Sequence, residues 1–432
     1  MSVFYALQSM AAASLIEHLP HVRKVAISAP QAAFKAITSE LKAFRLESNS
    51  RTVFPSGLIL SLFCMSQSLA WVDTRQLGLQ FLKQARSVLG LLNRKSAMLT
   101  IEERELLDFF NGCLIYEEMV RSVVSSDESD MSNLLVRQIS PHRVSVRPHA
   151  WTGVSPDLLR LFGKVMVLCR RSRNRWRLGN QVTGVGLGNT DADYEEARDV
   201  EEILLATEIP PLPPSQGVSD QHAELRQHLR DAAEAYRLSS LLQLYQTFPE
   251  ILSKRLPPES QGSPNYIAQQ NGWCSSLALH ITHILEGIPP TSDMRCVQPL
   301  LAICAGSGLR YENIPHFSID LDGSSEDFAE PFPLGLDPMS SGVWSFDFNS
   351  DAISQIQSQP VLTQNDFEIS RARHSVTERL NRLEECLPPR PIVVAKQLLK
   401  AVWHAYDTET MSSPRTHWLD VMAATGLHSL FG

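Results

Sequence analysis

Few side chains in this sequence stand at spacings that do chemistry, and each candidate has a plainer reading. His280 and His283 form an H-x-x-H pair. Three residues apart on a helix, they share a face and could meet on one metal ion. No third ligand stands nearby and His280 falls on an apolar stripe, so the plainer reading is a pair at the core boundary. Gly184, Gly186 and Gly188 have a density suited to phosphate, but G-x-G-x-x-G spacing, a preceding strand and a following Lys-Ser/Thr are missing. They read as a surface loop. Gly306-Ser307-Gly308 falls short of the G-x-S-x-G nucleophile pattern. Asp320, Asp322 and Gly323 open like a calcium loop, yet the glycine comes too early and no Glu occupies the twelfth position. The seven cysteines (Cys64, Cys113, Cys169, Cys274, Cys296, Cys304 and Cys386) are never closer than eight residues apart, so no C-x2-C zinc pattern exists. Their odd count and apolar surroundings read as buried, reduced thiols. With no converging set of titratable groups, the chain reads as a non-enzyme without cofactor or metal.

Two charged stretches say more. Arg170, Arg171, Arg173, Arg175 and Arg177 place five arginines within eight residues. Such a run serves nuclear import or contact with an acidic partner; the alternative is a solvated helix end whose cations offset the negative end of the dipole. Between positions 311 and 370 there is no Lys or Arg but there are eleven acids, more than the whole net charge of −8. Within 313–364 the acids interleave with Phe328, Phe332, Trp344, Phe346 and Phe348. Acids repel one another, keep a chain open and hold aromatics in water, which is the composition of a transcriptional activation segment. The alternative is a surface insertion with no partner.

Helical periodicity supplies the frame for these residues. Thr100 and Glu103 form a capping box ahead of Leu106, Phe109, Phe110 and Cys113. A similar stripe runs through Leu77, Phe81, Ala85, Val88, Leu89 and Leu92. Ser155, Pro156 and Asp157 start a helix with Leu158, Leu161, Phe162, Val165, Leu168 and Cys169 on one face. Leu225, Leu229, Ala232 and Tyr236 lead through Leu241 and Tyr245 to a stop at Pro249. Trp273, Leu277, Ile281, Ile284 and Leu285 make a stripe ended by Gly287 and Pro289, and Pro391 opens a helix with Val394, Leu398, Val402 and Ala405. Arg143 to Arg147 is the one short strand candidate. The fold class is all-α, a multi-helix layered domain of roughly a dozen or more helices with a long acidic loop insertion.

Composition bounds the rest. With 43% hydrophobic and 20% charged residues the chain folds, and its negative balance excludes holding nucleic acid by bulk charge. The first basic residue is Arg23, so no positive n-region precedes the apolar start. The best membrane candidate, 58–72, is interrupted by Ser61, Ser66, Gln67 and Ser68, and no membrane partner is expected. The Pro-rich run 210–220 reads as a stiff linker between an N-terminal helical half, 1–209, and a C-terminal half, 221–432. The halves form one composite domain, and the insertion 313–364 belongs to the second.

Taken together, several segments resemble the fungal-specific transcription factor domain, the regulatory domain that follows a binuclear zinc cluster in fungal transcription factors. The stretches 30–72 and 77–92 look like its first helices, and FFNGCLIYEEMV from Phe109 looks like the next. The stretch 194–208 and ELRQHLRDAAEAYRLSSLLQLY from Glu224 are similar to its central helix pair. PLLAICAG from Pro299 resembles its short apolar helix before a glycine turn. The closing stretch is the most specific: 371–387, AKQLLKAVW ending at Trp403, HWLDVM from His417, and Leu430-Phe431.

The resemblance implies a nuclear regulator of RNA polymerase II transcription, with metabolic and secondary-metabolite pathways as its field. It implies an activation surface exposed under effector or partner control. Its partners would be the transcription machinery or a DNA-binding protein, and its helical core leaves room for a small-molecule effector. The helices of Trp273 and Trp403 are the candidate pocket walls. The family's six-cysteine cluster, C-x2-C-x6-C repeated, is absent from these 432 residues, so no DNA-binding residue is assigned and direct DNA binding is not expected from this chain alone. A helical protein–protein scaffold outside transcription is the alternative reading. Replacing the five arginines of 170–177 with alanine is expected to lower the nuclear-to-cytoplasmic ratio of a tagged protein; an unchanged ratio would assign the run to folding alone.

Overall fold

The computed structural model describes residues 1–46, 54–125, 127, 131, 134, 144–183, 191–209, 220–256, 266–311, 363–409 and 416–432. Among the described residues there are fourteen α-helices and no strand. The first five are α1 (Ser2–Leu15), α2 (Arg23–Leu46), α3 (Ser56–Val72), α4 (Leu79–Arg94) and α5 (Ile101–Ser122). The middle of the chain forms α6 (Pro156–Thr183), α7 (Asp191–Ala206), α8 (Asp220–Thr247), α9 (Pro249–Ser253) and α10 (Tyr266–Glu286). The last four are α11 (Gln298–Gly308), α12 (Gln364–Glu384), α13 (Pro389–Asp407) and α14 (Trp418–Thr425).

Local chemistry explains the helix starts. Thr100 Oγ1 accepts from Glu103 N–H at 3.2 Å while Glu103 Oε2 accepts from Thr100 N–H at 2.9 Å, completing the expected capping box. Ser155 Oγ accepts from Leu158 N–H at 3.1 Å ahead of α6. A second box, Thr363 with Asp366, opens α12. The strand expected at 143–147 does not form. Its described part, 144–147, is irregular chain, and Ser145 N–H is satisfied by Asp157 Oδ2 at 3.0 Å instead of by a neighbouring strand. Pro30 lies inside α2. Ala26, Ala29, Ala33, Ile37 and Leu41 are buried along one face on both sides of it, against α1 and α3. That continuous packing outweighs a mid-helix proline cost of about 3 kcal/mol.

Two apolar cores form, and α5 belongs to both. Its Leu107, Phe110, Cys113 and Leu114 join Ile37, Leu62, Phe63 and Leu82 in the smaller core. Its Ile115, Tyr116, Met119 and Val120 join Phe162, Tyr236, Leu301 and Trp418 in the larger one. The Pro-rich run 210–219 lies outside the described residues; α7 before it and α8 after it pack on each other within the larger core. At the other end, α13 reaches back to contact α3.

Between the cores α5 buries a fully satisfied ion pair. Arg121 Nη1 donates to Glu117 Oε2 at 2.7 Å and to Glu117 O at 2.9 Å. Its Nη2 donates to Ser66 O and Oγ at 2.9 and 2.6 Å, and its Nε to Leu77 O at 2.9 Å. Glu117 also accepts from Ser66 Oγ at 3.0 Å and Gln67 Nε2 at 2.8 Å. Two charges with no solvent contact are tolerated only when their hydrogen-bonding capacity is used in this way. The arrangement needs the chain at 77–78 to pass close to α3. Gly78 has φ +61° and a Cβ there would lie 2.2 Å from Ser66 O, so only glycine fits.

Because removing one member strands the other charge, Arg121→Met is expected to lower the unfolding free energy by about 3–5 kcal/mol. Adding Glu117→Leu to that variant should recover most of the loss, as read from urea denaturation midpoints.

Candidate functional site

Helix α11 is buried along its whole length: all eleven residues, Gln298 to Gly308, are inaccessible. The carbonyls of its last turn are shut off from water, and the backbone meets only part of their capacity: Gly306 O accepts from Leu309 N–H at 3.3 Å and Gly308 O from Arg310 N–H at 3.0 Å. Side chains from the surrounding helices supply the rest. Gly306 O accepts from Trp403 Nε1 at 2.9 Å. Ser307 O accepts from Gln246 Nε2 at 2.8 Å and from the Tyr406 hydroxyl at 3.0 Å. Gly308 O accepts from Ser275 Oγ at 3.1 Å. Leu309 O accepts from Arg373 Nε and Nη2 at 3.1 and 2.9 Å. Behind them Gln243 donates to Ser307 Oγ at 3.1 Å and accepts from Trp418 Nε1 at 2.6 Å. Helices α8, α10, α12, α13 and α14 thus converge on one helix end.

Two arginines dominate the charge there. Arg373 grips Asp407 with a fork, 2.7 and 2.9 Å, and its guanidinium lies 4.3 Å from the Tyr311 ring centre and 5.3 Å from that of Trp403. Arg310 pairs with Glu409, donates to Thr416 O and stacks 3.6 Å over Tyr406. Cations at a helix C-terminus face the negative end of its dipole, and aromatic faces stabilise them further.

This cluster is also the root of the acidic insertion. The described chain stops at Tyr311, under Arg373, and resumes at Thr363, the cap of the helix that carries Arg373. The N-terminal flank of 312–362 thus ends on this cluster, and the C-terminal flank leads into it along α12. The candidate aromatics Phe328, Phe332, Trp344, Phe346 and Phe348 lie outside the described residues, as do Asp320, Asp322 and the Gly184–Gly188 run.

The arginine run lies within α6, not at its end, and is bound into the fold. Arg171 pairs with Asp193 at 3.1 Å and Glu196 at 3.4 Å, and Arg175 also pairs with Asp193. Arg173 pairs with Asp420, and Arg177 approaches the same carboxylate at 3.6 Å. Arg170 Nη1 donates to Val123 O at 2.8 Å. The run therefore joins α6 to α5, α7 and α14.

The remaining motifs take structural places. His280 and His283 are both exposed, and His283 stands 3.7 Å from Glu286. Among the described residues no group of three or more His, Cys, Asp or Glu is placed to hold a metal. Ser307 is buried, its hydroxyl donating to Cys304 O at 2.7 Å. Its flanking glycines serve close packing: a Cβ on Gly306 would lie 2.6 Å from Leu399, and one on Gly308 2.7 Å from Ala278. Cys64, Cys113, Cys169, Cys274 and Cys304 are buried free thiols, Cys296 is half-buried and Cys386 is exposed. Burial pushes the Cys64 thiol up to about 11 and Cys169 up to about 12, so both stay protonated and unreactive.

Two clefts involve the helices expected to form pocket walls, though neither is lined by Trp273 or Trp403. Trp273 is 47% exposed; α10 lines a cavity of about 580 Å³ through His280 and Ile284, opposite Arg230 and Arg237 of α8. Trp403 packs on α11, while α13 lines a cleft of about 820 Å³ through Pro389, Arg390 and Val394, opposite Glu17 and Asp73. Among the described residues no helix is long and apolar enough to cross a membrane.

The sequence pattern of the fungal specific transcription factor domain matches residues 1–309, from α1 to the residue that follows α11. The chain belongs to this family. No curated protein and no solved structure matches it. Membership places the chain in transcription regulation, in a family that works in the nucleus, contacts the transcription machinery or DNA and is generally non-enzymatic. The closing stretch, the most specific part of the resemblance by sequence, lies beyond the matched residues. It nonetheless packs on the matched part, since Arg373, Trp403 and Tyr406 bond the end of α11 and Trp418 bonds Gln243 behind it.

Sequence reading did not find Arg310 and Arg373 as a pair. The available signal was their position, just outside the ends of a long stretch with no basic residue. Arg373→Met is expected to lower stability by about 1–3 kcal/mol, the usual range for stranding a buried acceptor, here Leu309 O. Asp407→Asn, at a 39% exposed partner, should cost less than about 1 kcal/mol. Chemical denaturation of both variants checks the ranking.

Proposed function

We propose that the chain is a regulatory domain that controls RNA polymerase II transcription by presenting its acidic, aromatic stretch 313–364 from the junction at the end of α11. One observation supports this reading: the chain enters that stretch from the cluster that gathers five helices and returns to the cluster along α12. A shift in helix packing, driven by a partner or a small ligand, reaches the root of the stretch directly. The clefts of about 820 and 580 Å³ fall in the size range of small-molecule sites, and each is lined in part by helices that supply this cluster, α12 and α13 for the larger and α8 and α10 for the smaller. Metabolic or secondary-metabolite genes are the proposed targets, with DNA reached through a partner protein or through a DNA-reading module outside these residues. The Arg170–Arg177 run is the proposed import signal, and its ion pairs mean that any import variant must also be checked for folding.

The test fuses the full chain to a heterologous DNA-binding domain upstream of a reporter. The intact fusion is expected to activate, and replacing 313–362 with a short Gly-Ser linker to return expression to background. The thermal midpoint should hold in the shortened protein, because closing a shorter loop changes free energy only with the logarithm of its length. Activation that survives the deletion would refute the assignment.

A further inference from the structure

One feature of the arginine run is left over once its ion pairs are counted. Arg170, Arg171 and Arg175 line a cavity of about 170 Å³ together with Asn174, Ser125 and Val167, and among the described residues no carboxylate lines it. Arg171 and Arg175 are balanced from outside the cavity by Asp193 and Glu196 on α7. Arg170 faces only neutral oxygen, donating from Nη1 to Val123 O, and its buried Nε–H has no hydrogen-bond partner among the described residues. Burial, with Arg177 nearby, pulls its guanidinium down to about 10. Among the described residues the cation's charge is poorly compensated and one of its donors goes unmet. A buried unpaired donor on a charge costs more than a neutral one, and in a native fold it calls for a partner.

We propose that this cavity binds a phosphate-sized oxyanion, either as the free ion or as the phosphoryl end of a small monoester. Guanidinium forks match the geometry of tetrahedral oxyanions and offer several N–H donors in fixed directions. The volume equals about five or six waters' worth of liquid, enough for a phosphate and too small for a nucleotide. The anion would satisfy Arg170 and compete with Asp193 for Arg171 and Arg175, changing how α6 is held to α7. Because Arg173 and Arg177 of the same helix reach Asp420 on α14, that change is connected to the junction beneath the acidic stretch. Binding itself does not rest on the proposed function; only the regulatory consequence does.

The test is calorimetric titration of the full chain with inorganic phosphate and with glycerol 3-phosphate, at ionic strength matched with chloride. The expected result is saturable binding at one site per chain, weakened at least tenfold by Arg170→Gln. Should that variant fail to fold, Leu178→Trp, which fills the cavity from its exposed rim, is expected to weaken binding equally. Tighter binding of glycerol 3-phosphate supports the site and names a phosphorylated metabolite as its source; equal or tighter binding of inorganic phosphate supports it and names the free ion. No saturable heat with either probe, or affinity unchanged in whichever variant folds, would overturn the inference. Phosphate binding combined with reporter activation that ignores the deletion of 313–362 would keep this site and refute the activation reading instead.

Discussion

A helix with no exposed face has nowhere to send the carbonyls of its last turn. In α11 this constraint organises the molecule. The helix is short and mostly apolar, so water cannot serve it, and what the local N–H groups of Leu309 and Arg310 leave unmet among the acceptors from Gly306 to Leu309 falls to donors brought from elsewhere. Trp403, Tyr406, Gln246, Ser275 and Arg373 supply them. Each donor fixes the rotation of its own helix, so the packing of four helices around α11 is set by hydrogen bonds that tolerate little displacement. The apolar contacts supply the free energy of burial; the polar ones select one arrangement among many of similar area.

The same division of labour holds on α5. Its apolar residues join two cores that would otherwise meet only loosely, and Glu117 with Arg121 decides the register in which they meet. Arginine recurs wherever helices distant in sequence are locked together: Arg121 to α3, Arg173 to α14, Arg373 to the end of α11 and Arg379 to Ile288 O at 2.6 Å. Its planar fork satisfies several acceptors at once, which a lysine could not do.

Local signals were legible in the sequence and long-range ones were not. The box at Thr100, the start at Ser155 and the apolar face of α6 follow from residues within one or two turns of each other. On α10 Leu277, Ile281, Ile284 and Leu285 pack as their stripe suggests, but Trp273 is exposed, and the helix approaches α11 through Cys274 and Ala278. Close approach favours small side chains, which a hydrophobic stripe underweights. The arginine run looked like free surface charge because Asp420, its partner, lies 247 residues from Arg173. The junction was illegible for the same reason: Ser307 and Gln246 are 61 positions apart, and Arg310 and Thr416 are 106 apart. Nothing in their own neighbourhoods marks them as neighbours.

The root of the acidic insertion has an evolutionary consequence. Ten residues of helix separate Thr363 from Arg373, a rise of about 15 Å, so the chain leaves the core at the cluster and re-enters it about three turns away along α12, both points fixed by packed structure. A segment hung between such points adds to the cost of folding only slowly as it grows. Lineages could lengthen it, trim it or rewrite its composition without disturbing α11 or its seals. The core and the stretch it carries are free to diverge at different rates, the first held by packing and the second by whatever it must touch.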